Sequence, residues 1–80
     1  MNTVEFTEYL VKELVTKPEL VTVKEFEEET EKVIQILVSE DDMSKLIGKE
    51  GNTINAVRTI IQSAAYLNNE KKVKINVDSF

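Results

Sequence analysis

Residues 46–54 read LIGKEGNTI and contain the chain's only two glycines, Gly48 and Gly51, set three positions apart in an 80-residue sequence. What lies on either side of them decides the fold. Upstream, EDDMSKL places Met43, Leu46 and Ile47 at helical spacing behind acidic residues, which predicts a short helix capped by Asp41 or Asp42 and ending at Ile47. Downstream, NTINAVRTIIQSAAYL puts Ile54, Val57, Ile61 and Ala64 on one stripe with Ile60, Ala65 and Leu67 beside it. That pattern predicts a helix of about four turns, with Asn52 or Thr53 near its cap. A glycine after a helix supplies the positive φ that ends it, which accounts for Gly48. Gly51 is only partly explained, because Asn52 or Thr53 caps a helix better than glycine. A side-chain-free turn at a helix N-terminus accounts for both, since phosphate can then approach backbone N–H groups and the positive end of the helix dipole.

Strands flank this helical pair. Ahead of it, VIQILVS alternates Ile34, Ile36 and Val38; behind it, Asn68 and Asn69 end the helix and KVKINV turns Val73, Ile75 and Val77 inward with Lys72, Lys74 and Asn76 outward. Two strands separated by so long a crossover are most simply parallel. Farther upstream, LVTVKEFEEE reads as a weaker strand, joined to VIQILVS by an acidic turn near Glu28 to Glu31 as an antiparallel hairpin. Val21 and Val23 share one parity and Phe26 the other, so a bulge or strand end is predicted near Lys24 and Glu25. The chain opens with NTVEFTEYLVKELVTKP, an amphipathic helix with Phe6, Tyr9, Leu10 and Leu14 flanked by Val11 and Val15. It starts at a Thr3 or Asn2 cap and ends before Pro18. The predicted fold class is α+β, in the order helix, strand, strand, short helix, glycine turn, helix, strand, with three helices on one face of a three-stranded mixed sheet.

The inventory narrows the chemistry. There is no cysteine and no histidine, which removes disulfides, thiolate metal sites, Cys or His nucleophiles and imidazole bases. No enzyme activity and no cofactor are expected. Glu40, Asp41 and Asp42 lack the spaced ligand pattern of a cation loop, so no metal is expected either. Apolar runs fall far short of the roughly 20 residues needed to cross a bilayer, and Glu5 and Glu8 argue against a signal peptide; a cytoplasmic protein is expected. The net charge of −5 disfavours a nucleic-acid partner on average, yet the average conceals an asymmetry. Residues 1–42 carry 12 acidic and 4 basic side chains, a balance of −8, whereas residues 43–77 carry 6 basic and 2 acidic, a balance of +4. The second half can present a positive face.

With its apolar flanks Ile47 and Ile54, its place between two helices and its bordering strands, SEDDMSKLIGKEGNTINAVRTII resembles the signature of KH domains. In that family a GXXG loop clamps the backbone of about four nucleotides. The leading helix and strand resemble the type II arrangement, and the whole chain is similar to the small single-domain bacterial KhpA family. The resemblance implies one KH domain over residues 1–80, with an N-terminal extension in 1–30, a core in 33–78 and the loop at 48–51.

It also implies single-stranded RNA in a groove bordered by the short helix, the loop, the long helix and a strand edge. In that reading Gly48 and Gly51 admit the sugar–phosphate backbone, Lys49 offers a charge, and amides around Gly51 and Asn52 donate to phosphate. Ile47 and Ile54 are candidates for an apolar floor under the bases, and Lys45 and Arg58 for a positive rim. Glu50 sets a negative charge inside the clamp, so affinity is predicted to be modest and salt-sensitive. A Gly48→Asp, Gly51→Asp pair is expected to keep the fold and lose RNA. Family resemblance further implies RNA-chaperone or post-transcriptional roles linked to cell shape and division. It implies a homodimer, or a heterodimer with a larger KH-containing RNA-binding protein. The alternative is a dimerisation module with little RNA affinity, using Val33, Leu37, Ile60 and Tyr66 as an apolar patch.

Overall fold

The computed structural model describes residues 2–80. Asn2 caps the first helix, α1 (Thr3–Leu14), its side chain accepting from the Glu5 amide at 2.8 Å. The helix stops well before Pro18 because Val15 turns extended and the Thr16 and Lys17 amides donate to Asp42, each at 3.0 Å. Its buried line runs through Thr3, Thr7 and Val11, with Phe6 and Leu10 alongside, whereas Tyr9 and Leu14 face outward. Hydrophobicity alone therefore predicts a stripe rotated toward the surface. The two threonines tolerate burial because their hydroxyls are satisfied: Thr7 donates to the Thr3 carbonyl at 2.8 Å, and Thr3 donates to the Glu70 carboxylate.

The sheet has the order β1-β2-β3, built from β1 (Thr22–Glu27), β2 (Glu31–Val38) and β3 (Lys72–Ser79). β1 and β2 pair antiparallel, and β2 and β3 pair parallel, as the long crossover requires. The hairpin register runs unbroken from Thr22↔Leu37 to Glu27↔Lys32, so neither a bulge nor a strand end lies near Lys24 and Glu25. Phe26 has the opposite parity to Val23 for a simpler reason. It lies opposite Val33 on the face away from the helices and is half exposed there.

On the other face, Ile34, Ile36, Val38, Val73 and Ile75 meet Val11, Leu46, Ile54, Val57, Ile61 and Ala65 in one hydrophobic core. Three helices supply the covering layer: α1, α2 (Glu40–Ile47) and α3 (Asn52–Leu67). Ile60 and Leu67 do not join the buried stripe of α3, and both are exposed. Asn69, at φ 58°, turns the chain after α3 toward β3.

The start of α2 departs from expectation. Ser39 occupies the N-cap position without a side-chain cap bond, and neither Asp41 nor Asp42 caps the helix. Asp42 is wholly buried instead. Its carboxylate accepts from the Thr16 hydroxyl at 2.6 Å and from the Thr16 and Lys17 amides, while Asp41 pairs with the Lys17 ammonium at 2.7 Å. These bonds tie the end of α1 to the beginning of α2. The Thr16 hydroxyl, then the two amides, hold the Asp42 carboxyl below the usual range, and Lys17 does the same for Asp41. A second tie joins Lys32 to Glu70 at 2.7 Å and to Glu25 at 3.5 Å; Lys32, helped by Thr3, lowers the Glu70 pKa.

Candidate nucleic-acid interface

Between α2 and α3, three of the four loop residues have positive φ: Gly48 at 78°, Glu50 at 56° and Gly51 at 77°. The two glycines answer different demands. Gly48, with ψ 175°, occupies a region open essentially to glycine alone, and a Cβ built there would lie 2.8 Å from the Thr53 backbone nitrogen. Gly51 adopts a left-handed helical conformation, but a Cβ on it would meet only the Asn55 side chain, at 3.8 Å. Gly48 is thus fixed by contact inside the protein. Gly51 is uncrowded, with only the Asn55 side chain at ordinary contact distance.

The sequence predicts positive φ at Gly48 alone, whereas Gly51 and Glu50 also adopt it, at a cost of about 1–2 kcal/mol for Glu50, which carries a Cβ. Two further expectations change. Gly51 itself occupies the N-cap position of α3, and no side-chain cap is made by Asn52 or Thr53. The amides expected to face phosphate are used within the turn: Gly51 N–H donates to the Gly48 carbonyl at 3.2 Å, and Asn52 N–H donates to the Lys49 carbonyl. Lys49 and Glu50 point into solvent, as do Lys45 and Asn52. Ile54 is a core residue with 3% of its surface exposed, and Ile47 packs against the core while keeping part of its surface. The close approach at Gly48 also means that an aspartate there would disturb the fold, so the double aspartate substitution is not a clean test.

Gly51 stands at the start of α3. Asn55 lies beside it and accepts from the Arg58 guanidinium at 3.3 Å. Arg58 in turn borders a groove of about 490 Å³ between α3 and β3, the edge strand, with Gln62, Lys72, Lys74 and Asn76 on its walls and Ile75 at its floor. Glu31 is the one acidic residue in the lining. Gln62, Lys72, Lys74 and Asn76 were not singled out as site residues from sequence. For Lys72, Lys74 and Asn76 a signal is present in the outward parity of KVKINV, whereas Gln62, on α3, has none; which strand forms the free edge beside α3 depends on sheet order.

Charge is divided in a useful way. In the acidic half, Lys12, Lys17 and Lys32 are each paired with carboxylates. Among the described residues no ion pair holds Lys45, Lys49, Arg58, Lys72 or Lys74, which lie on the glycine turn, its neighbouring helices and the β3 edge. These five cations are therefore available to an anionic partner.

Residues 4–77 match the family described as KhpA/KhpB, KH domain. The chain belongs to this KH family. RNA-binding protein KhpA of Chlamydia trachomatis serovar D is 45% identical over 67 residues, covering 84% of this chain and 86% of that protein. KhpA of Clostridium perfringens is 42% identical over 69 residues, covering 86% and 92%, and KhpA of Thermotoga maritima is 37% identical over 73 residues, covering 91% and 95%. Among solved structures, Era in complex with MgGDPNP and nucleotides 1506–1542 of 16S ribosomal RNA matches with a TM-score of 0.69 at 19% identity. That match covers 96% of this chain and 29% of the Era chain, and at such low identity it establishes the KH fold alone. No helix among the described residues is long and apolar enough to cross a membrane.

Proposed function

We propose that this chain binds single-stranded RNA as a KH domain over residues 1–80, with residues 33–78 as the core and the GXXG loop at 48–51 as the clamp. The observation that carries this reading is the groove lined by Arg58, Lys72 and Lys74, which the Arg58 bond to Asn55 links to the uncrowded side of Gly51 and to the turn that holds the unpaired Lys49. The sugar–phosphate backbone passes over Gly51, Lys49 and Arg58 take phosphates, and the bases turn toward the β3 edge. Ile47, through its exposed part, and Ile75 supply apolar contact; Ile54 supports them from the core. Lys45 extends the positive rim, while Glu50 limits affinity and Asn52 adds a polar contact. Relatives at this similarity carry the name RNA-binding protein KhpA, which supports the reading.

Family resemblance extends it to an RNA-chaperone or post-transcriptional role in the cytoplasm, linked to cell shape and division, without catalysis. It also extends to a homodimer, or a heterodimer with a larger KH-containing protein, whose second clamp raises avidity over a weak single site. A pure dimerisation module is the weaker alternative. Val33 and Leu37 lie on the helix-free sheet face and Ile60 and Tyr66 on α3, so these four residues do not form one patch.

The test is a Lys49→Asp, Glu50→Asp pair, which keeps both glycines and puts a residue more tolerant of positive φ at position 50. Fluorescence anisotropy with a labelled single-stranded RNA at low salt is expected to show loss of binding while circular dichroism is unchanged. Undiminished RNA binding by the variant would overturn the clamp assignment.

A further inference from the structure

The groove beside Arg58 does not end there. Gln62 and Lys72 line it and also line a second hollow of about 370 Å³ farther along α3, bounded by Tyr66, Lys71 and Val73. α3 runs from the loop toward Tyr66, and the chain then reverses into β3. Advancing from Arg58 to Tyr66 on the helix therefore corresponds to moving from Asn76 back to Lys72 on the strand. At 1.5 Å per residue, Tyr66 stands about 22 Å along α3 from Gly51.

Tyr66 is 80% exposed, more than any other large apolar or aromatic residue among the described residues, so its ring is not part of the core. The two other charges near it are already engaged. Glu70 is neutralised by Lys32 at 2.7 Å, and Lys71 is held by Glu27 at 3.6 Å and by the Glu28 carbonyl. Gln62 is fixed across the groove by donating to the Val73 carbonyl at 3.1 Å. Lys72, which lines the same hollow as Tyr66, is held by no ion pair among the described residues. An exposed aromatic face next to an unpaired cation, at the end of a positively lined groove, suits a base and its phosphate.

We infer that Tyr66 and Lys72 form an extension of the RNA track, with Tyr66 stacking a nucleobase that lies beyond the nucleotides held at the glycine loop. The inference rests on the proposed RNA-binding reading and adds a second point of contact to it. Stacking on tyrosine tolerates any base, so the extension lengthens the footprint without adding sequence preference.

The experiment compares a tetranucleotide, about the length a KH clamp holds, with a longer single-stranded oligonucleotide of the same composition. The parent is expected to bind the longer RNA more tightly. Tyr66→Ala is expected to weaken binding of the longer RNA by about fivefold or more, the lower range for loss of one stacked base, and to leave tetranucleotide binding unchanged. Tyr66→Phe is expected to retain the parent's affinity. Tyr9 and Tyr66 are the only tyrosines and there is no tryptophan. In a Tyr9→Phe background, intrinsic fluorescence therefore reports Tyr66 alone, and quenching by the longer RNA but not by the tetranucleotide is expected. If Tyr66→Ala binds the longer RNA as the parent does, the extension is wrong and the clamp stands. If the parent binds neither RNA, the clamp reading fails and the extension with it.

Discussion

Gly48 and Thr53 are in contact across the turn that separates α2 from α3, so closely that a Cβ on Gly48 would stand 2.8 Å from the Thr53 nitrogen. Gly51, three residues on, has no such neighbour. The two glycines of the motif therefore respond differently to the same substitution. Gly48→Ala, which combines a backbone clash with a glycine-only conformation, is expected to cost about 3 kcal/mol or more. Gly51→Ala is expected to cost about 1–2 kcal/mol, the penalty for a left-handed residue with a Cβ. Urea denaturation of the two variants checks the order; equal losses would show that the contact with Thr53 does not matter.

Glu50 is a left-handed residue without glycine's freedom, and its charge opposes the lysine beside it. Glu50→Asn removes the charge and suits the conformation better. A gain in stability of about 0.5–1 kcal/mol is expected, together with tighter RNA binding at low salt. A stability measurement showing a loss instead would mean that the Glu50 side chain has a stabilising partner in solution.

Lys74 lies on the β3 edge and is held by no ion pair. If it contacts one phosphate, Lys74→Ala reduces the slope of log K against log salt by about 0.7, the value for one contact to a single strand. Binding isotherms at several salt concentrations measure this. An unchanged slope would place the RNA away from the edge strand.

Asp41, Asp42 and Glu70 all have carboxyl groups held below their usual range, by Lys17, by Thr16 and by Lys32 respectively. Each binds its proton less readily folded than unfolded, so the stability it contributes is fully present above the ordinary carboxylate range. That stability is lost as pH falls from about 4 through the depressed folded values. Lys17 and Lys32 are shifted upward by Asp41 and Glu70, so their share is present below the ordinary lysine range and lost as pH rises through the raised values. Thermal melts across pH are expected to fall on both limbs. Asp42→Asn, which leaves the Thr16 and Lys17 donors facing an amide, is expected to lower Tm at neutral pH and to flatten the acid limb. An acid limb as steep as the parent's would remove Asp42 from this account.

Much of the architecture was legible in local pattern. Alternation in VIQILVS and KVKINV and the 3.6-residue stripe from Ile54 to Ile61 depend on nearest neighbours in the chain, and the structure has those elements in that order. Gly48 was read correctly as the residue that ends α2. Expectation and structure part where a distant residue intervenes. Asp42 looked like a cap because acidic residues favour helix starts, but Thr16 and Lys17, from the segment after α1, bring it inside the protein. Phe26 suggested a bulge because its parity was assumed to point at the helices, and an unbroken hairpin leaves it on the open face of the sheet.

The sequence by itself determined the glycine turn, the element order and the separation of acidic and basic halves, because turn chemistry, periodicity and charge are local properties of the chain. Only the tertiary structure decided which loop amides are already bonded, which glycine is fixed by contact and which is uncrowded. It also decided that Arg58, Gln62, Lys72 and Lys74 border one groove, because that depends on β3 forming the edge of the sheet beside α3. LIGKEGNTI defines the turn between α2 and α3; only the folding of β3 against α3 makes the groove that would continue from it.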